Sequence, residues 1–169
     1  MAERRKAVFL DRDGVINRER GEHTWRIPDF EVLPQVAPAL KALHLQGWLT
    51  IVISNQSGVA LGLYTLGEVE ELHRYLHRRL ADAGAALDAV YYCPHHPDHG
   101  RCLCRKPGSL LLERAIARHA IDPTRSFMIG DRERDVLAAE AVGVKGVRVE
   151  ANAPLLDVLH EQGILPWAM

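Results

Sequence analysis

No apolar stretch of this sequence is long enough to cross a membrane or to form the core of a signal peptide, although its first residues, Met1-Ala2-Glu3-Arg4-Arg5-Lys6, are basic. A surplus of charge is missing as well. With 21 Lys and Arg against 22 Asp and Glu, the net charge is -1, which removes the support for a nucleic-acid or membrane-surface partner. Repeats, low-complexity tracts and linkers are absent, so residues 1–169 are expected to form a single domain. Cysteine is scarce and unevenly spread: Cys93, Cys102 and Cys104 fall within twelve residues. An odd, clustered set in a chain expected to be cytosolic points to a metal before a disulfide. What remains, 47% hydrophobic and 25% charged, is the composition of a globular protein, expected to be cytoplasmic and monomeric.

Short, nearly unbroken apolar runs alternate with helical periodicity. Strands are predicted at Ala7–Leu10, Trp48–Ile53, Ala89–Tyr92, Ser126–Ile129 and Gly146–Val149. Helices are predicted at Pro34–Gln46, Thr65–Ala83, Ser109–His119 and Glu133–Val142. The second opens on a Thr-x-x-Glu capping box and carries Val69, Leu72, Leu76 and Leu80 on one stripe. His73 and His77, four apart on that helix, have a metal spacing but no third ligand nearby, so a partly exposed helix face is the preferred reading. Alternating strand and helix predict an α/β fold, a Rossmann-like doubly wound parallel sheet with helices on both faces. No insertion leaves room for a large cap domain.

In such a sheet ligands collect beyond the carboxyl ends of the strands, and polar groups gather there. The first strand ends in Asp11-Arg12-Asp13-Gly14, the second in Ser54-Asn55-Gln56-Ser57-Gly58, the fourth in Gly130-Asp131-Arg132-Glu133-Arg134-Asp135. Arg105-Lys106-Pro107 precedes the third helix. Two carboxylates a strand spacing apart repel each other, and a cation would remove the conflict. Acids, a hydroxyl and cations at one edge can hold a hard divalent metal and a phosphate together. Taken singly, each of these segments could be a turn, a cap or solvated charge.

Between residues 93 and 104 the run Cys93-Pro94-His95-His96-Pro97-Asp98-His99-Gly100-Arg101-Cys102-Leu103-Cys104 supplies three thiols and an imidazole, the complement of a closed zinc site. His95, His96 and His99 compete for the imidazole position. Such a site would fold a loop with little core of its own and fix the next two residues, Arg105 and Lys106.

In their order and placement, "DRDGVIN", "SNQSG", "RKP" and "GDRERD" resemble the four motifs of the haloacid dehalogenase superfamily of phosphatases, over residues 7 to about 149. Within it, "SNQSGVALGLYT" and "CPHHPDHGRCLCRKP" resemble the histidinol-phosphatase-like branch. The resemblance implies that Asp11 is a nucleophile forming an aspartyl-phosphate and Asp13 the acid and base. It implies magnesium held by Asp11, the Asp13 carbonyl and Asp131, and phosphoryl oxygens held by Ser54 and Lys106. Zinc would sit on Cys93, His95, Cys102 and Cys104. Asp135 is expected to orient Lys106 or a metal-bound water.

Asn55, Gln56, Ser57, Arg105 and Arg132 are expected to bind a small phosphorylated metabolite in an open cleft framed by residues 18–25 and the zinc loop. Arg105 suits a second phosphate because its fork grips two oxygens. The implied reaction removes the 7-phosphate of D-glycero-D-manno-heptose 1,7-bisphosphate, with histidinol phosphate or another small sugar phosphate as alternatives. Leu61 and His23-Thr24-Trp25 depart from the heptose pattern near the substrate. A zinc-stabilised binding module is the non-enzymatic alternative, but no residue of the catalytic motifs is missing.

Overall fold

The computed structural model describes residues 2–167, so Met1, Ala168 and Met169 of the expected single unit lie outside the described residues. Five parallel strands form one sheet in the order β3-β2-β1-β4-β5: β1 (Ala7–Leu10), β2 (Leu49–Asn55), β3 (Ala89–Cys93), β4 (Phe127–Gly130) and β5 (Lys145–Arg148). Helices α1 (Val36–Leu45), α2 (Leu66–Asp82), α3 (Leu110–His119) and α4 (Glu133–Glu140) make the crossovers, and α5 (Leu155–Glu161) follows the last strand.

Alternation along the strands feeds two apolar layers. Val8, Leu10 and Val52 pack with α1, α2 and α5 through Leu40, Leu43, Leu72, Leu76 and Leu159. Ala7, Phe9, Ile51 and Ile53 pack with α3 and α4 through Leu111, Leu112, Ala115, Ala138 and Ala139. Both faces are therefore covered, which is why the strands read as apolar runs. The helices change sides where the strand order reverses, between β1 and β4, and the crevice at such a switch point is where an open sheet binds ligands. The chain runs from β1 out to β3 by α1 and α2, then returns past β1 by way of α3.

The four predicted helices and five predicted strands are all present, with no end displaced by more than two residues. Thr65 does cap α2: its Oγ1 accepts from the Glu68 amide at 3.2 Å, and Glu68 accepts from the Thr65 amide at 2.8 Å. Strand β2 runs two residues beyond the expected Ile53 because Ser54 and Asn55 pair with Tyr92 and Cys93. That register sets the start of the second motif beside the first cysteine.

Helix α5 was not predicted from the sequence. It is seven residues long, too short for periodicity to stand out, yet it buries Leu155, Val158 and Leu159. It is also tied to the start of α1 by reciprocal hydrogen bonds between the Gln35 side chain and Asp157. Among the described residues no helix is long and apolar enough to cross a membrane.

Candidate active site

Strand β1 delivers Asp11 to the crevice, where its amide donates to Ile129 O of β4 at 3.0 Å. Asp11 Oδ1 accepts from the Arg12 amide and from Lys106 Nζ, each at 2.9 Å. Lys106 is only 1% exposed and spends its ammonium on three partners: Asp11, Ile53 O at 2.7 Å, and Asp135 Oδ1 at 2.6 Å. Burial lowers the ammonium's pKa, but Asp11 and Asp135 outweigh it and carry the pKa above its ordinary value.

Asp135 Oδ1 meets Lys106 as an ion pair alone, and its other oxygen accepts from the Arg132 amide at 3.0 Å. A Cβ on Gly130 would overlap the Asp135 carboxylate, so glycine there lets α4 start against the strand end.

Carboxyl oxygens of Asp11, Asp131 and Asp135 lie within 4.8 Å of one another. Burial pushes the Asp11 carboxyl up to about 7; Lys106 opposes this, and Asp135 and Asp13 add to it. Asp131 is raised by burial too. One ammonium among three close carboxylates leaves negative charge uncompensated, and hard oxygen donors in this arrangement fit a divalent cation such as magnesium. Gly14, at φ +88°, brings the first loop close: a Cβ there would stand 2.6 Å from Asp131 Oδ2.

Asp13 faces the other way. Its Oδ1 accepts from Arg12 Nη2 and Asn17 Nδ2, both at 2.9 Å, and its Oδ2 accepts from Gln56 Nε2 at 3.1 Å. Burial acts against ionisation, but Arg12 and these hydrogen bonds prevail and hold the carboxyl below its ordinary pKa. The two carboxyls of the first motif are thus pushed in opposite directions, with Asp13 held as a carboxylate.

Arg12, fully buried, also donates to Thr24 O at 2.6 Å and lies 3.3 Å from His73 Nε2. His73 is thus neither a metal ligand nor part of an exposed face. It is 5% exposed, held neutral by burial and Arg12 with its pKa lowered to about 3, while His77 is exposed.

The second motif is spent differently from the expectation. Asn55 binds the Lys106 backbone with both ends of its amide, accepting from N at 3.0 Å and donating to O at 3.2 Å. Gln56 donates to Ser54 Oγ at 2.8 Å and accepts from Tyr64 OH at 2.8 Å. Ser54 is fully buried.

A cleft of about 350 Å³ opens in front, lined by Asp11, Asp13, Asn55, Gln56, Ser57, Arg105, Asp131 and Arg132 together with residues of the 19–24 loop and Arg134. Ser54 and Lys106 are absent from its wall. Sequence reasoning missed Arg134, Tyr64 and Asn152; the last accepts from the Glu19 amide at 2.6 Å and so pins the loop. Arg134 had a signal, a second cation in the fourth motif. Asn152 had none beyond being a turn residue.

Beyond the end of β3 the four expected zinc ligands converge. His95 Nδ1 is 3.3 Å from Cys93 Sγ and 3.2 Å from Cys104 Sγ, Cys102 Sγ is 3.7 Å from Cys93 Sγ, and all four donor atoms lie within 4.8 Å of one another. Burial raises the Cys93 and Cys104 thiols, so a cation is what would keep them as thiolates. Three sulfurs and a nitrogen around one point fit zinc. His96 is occupied elsewhere, its Nδ1 accepting from the Asp98 amide at 3.1 Å.

The HAD-hydrolase-like family model matches residues 103–156. A D-glycero-beta-D-manno-heptose-1,7-bisphosphate 7-phosphatase of Haemophilus ducreyi is 42% identical over 147 residues, covering 83% of this chain and 80% of the relative. Its counterpart in Rhodopseudomonas palustris is 39% identical over 170 residues, covering 97% and 93%. The crystal structure of D,D-heptose 1,7-bisphosphate phosphatase from B. bronchiseptica, complexed with magnesium and phosphate, is similar with a TM-score of 0.81 at 33% identity over 96% of this chain and 89% of that one. With its motifs gathered at the strand ends and relatives matching along most of its length, the chain belongs to the D-glycero-beta-D-manno-heptose-1,7-bisphosphate 7-phosphatase family of haloacid-dehalogenase-like hydrolases.

Proposed function

We propose that this phosphatase removes the 7-phosphate of D-glycero-beta-D-manno-heptose 1,7-bisphosphate through an aspartyl-phosphate on Asp11. The observation that carries the reading is the environment of Asp11, whose carboxylate is fixed by Lys106 and the Arg12 amide at the floor of an open cleft. A fixed carboxylate facing the cleft attacks phosphorus and divides one difficult hydrolysis into two easier steps. As charge leaves Asp11 in the attack, Lys106 is freed to stabilise a phosphoryl oxygen, with Ser54 behind it.

Asp13 handles protons. Its ionised form, held by Arg12, Asn17 and Gln56, takes the proton of the attacking water in the second step. The acid form that protonates the leaving oxygen in the first step arises once the side chain swings out of those donors. Asp135 keeps Lys106 charged, and Asn55 places it.

Magnesium would be held by Asp11, the Asp13 carbonyl and Asp131, where it supplies charge neutralisation for carboxylates and phosphoryl oxygens. Zinc would be held by Cys93, His95, Cys102 and Cys104 as a cross-link for a loop without a core. Gln56, Ser57 and Arg132 face the substrate, and Arg105 holds its second phosphate. The whole chain acts as one domain.

Arg105→Ala tests the substrate reading. Losing one charge-assisted partner should cost the bisphosphate roughly 2 to 4 kcal/mol in kcat/KM. Phenyl phosphate, with nothing for Arg105 to grip, should lose much less. Equal losses on both would mean that Arg105 only braces the zinc loop.

A further inference from the structure

The fourth motif carries two arginines, and they stand in different environments. The Arg132 side chain is 58% exposed, with Nε 3.8 Å from Asp131 Oδ2. Arg134, the second residue of α4, is half-buried and lines the cleft beside Arg105. Arg134 Nε and Arg105 Nη1 are both buried and have no hydrogen-bond partner. Neither guanidinium forms an ion pair among the described residues.

The acids of the facing loop do not meet this demand. Glu22 is bound to Arg20 at 2.8 Å, and Glu19 accepts from the Gly21 amide at 2.8 Å. A buried, unpartnered guanidinium nitrogen is costly, and two neighbouring like charges add repulsion. Both side chains line the same cleft, which is large enough for a phosphorylated sugar. A dianion placed where the two guanidinium groups face the cleft would neutralise both charges, whereas a sugar hydroxyl could accept a hydrogen bond but would leave both charges unpaired.

We propose that Arg134 and Arg105 together form a subsite for the second, non-reacting phosphate, which makes Arg134 a specificity-determining residue that selects small sugar bisphosphates over monophosphates. This rests on the reading above that the cleft takes a bisphosphate with Arg105 at its second phosphate. Because a paired clamp loses most when either member is neutralised, charge at position 134 is what counts.

The test compares Arg134→Gln, Arg134→Lys and Arg105→Ala by the ratio of kcat/KM for heptose 1,7-bisphosphate to that for phenyl phosphate. A parallel calorimetric titration with heptose 1-phosphate, the product that keeps the second phosphate, reads binding without turnover. Arg134→Gln should lower the ratio tenfold or more and weaken heptose 1-phosphate binding by a similar factor, with Arg134→Lys recovering part of both. A wild-type ratio and affinity in Arg134→Gln, while Arg105→Ala lowers both, would overturn the role of Arg134 and leave the second-phosphate reading standing. Wild-type ratios in both variants would overturn the two together.

Discussion

The acid cluster at the ends of β1 and β4 and the thiol cluster beyond β3 both crowd ionisable groups too closely for all to carry charge, yet they are built in different ways. Around Asp11 the positions are set by strands in the middle of the sheet, and the protein supplies part of the missing charge itself through Lys106. Around Cys93 the groups sit on a loop from residue 93 to 104 that is exposed from Pro97 to Arg101, and the cluster itself contains no lysine or arginine. The acid site therefore holds its shape with only charge left to balance. At the thiol site a zinc ion would set the shape as well as the charge. Cations also differ in exchange: a hard ion on a few carboxylates leaves readily, and one enclosed by three thiolates and an imidazole does not.

The largest expected effect comes from removing the acid site's internal cation. Lys106→Ala leaves Asp11 and Asp135 buried without their partner, which should cost roughly 3 to 5 kcal/mol of unfolding free energy and nearly all turnover. Denaturant unfolding in excess magnesium should recover part of that loss, since another cation then serves the same carboxylates. No change in stability would show that Lys106 does not hold the acids together.

At the thiol site the prediction has the opposite emphasis. Protein purified without added metal should contain one zinc per chain that survives a mild chelator, while the same treatment stops turnover until magnesium is restored. Cys102→Ser should lower Tm by several degrees, on the order of 2 kcal/mol for a chain of this size, and should reduce turnover in parallel because Arg105 and Lys106 follow the loop directly. Freely reactive cysteines and no zinc by elemental analysis would remove the distinction between the two regions.

A smaller effect lies behind the acid site, where His73 supports Arg12. Its pKa is about 3 in the folded chain, whereas an unfolded histidine takes up its proton near 6.5. The unfolded state therefore binds more protons between those values. The contribution is intact above about pH 6.5 and is lost as the pH falls, by about 1.4 kcal/mol per pH unit at most. His73→Gln should be less stable at pH 7.5 but should show a flatter decline between pH 6.5 and 5 than the parent, measured by denaturant midpoints. Parallel declines would mean that His73 is protonated in the fold.

Much of this was legible in the sequence because the motifs lie where short apolar runs end. Asp11, Asp13, Asp131 and Lys106 could be placed at one edge without knowing the strand order, since every parallel strand presents its carboxyl end there. The thiol cluster was legible because its members are close in the chain. What the sequence hides are partners brought together by tertiary contact. Asn55 reads as a substrate residue but has both ends of its amide on Lys106. Arg12 reads as a spacer between two acids but joins Asp13, Thr24 and His73. Helix α5 was hidden for another reason, since four apolar positions in seven residues cannot establish a period.

Phosphate release from D-glycero-beta-D-manno-heptose 1,7-bisphosphate by Asp11→Asn, beside the parent enzyme in magnesium, tests whether Asp11 is the nucleophile of a bisphosphate phosphatase. The amide keeps the shape of the side chain and removes a buried charge, so the variant should fold, with Tm at or above the parent's when magnesium is withheld. Its turnover should fall by a factor of about 10⁴ or more, because an amide cannot form the acyl-phosphate. Release of the 7-phosphate at rates within about tenfold of the parent, by a variant shown free of contaminating phosphatase, would rule out Asp11 as the nucleophile.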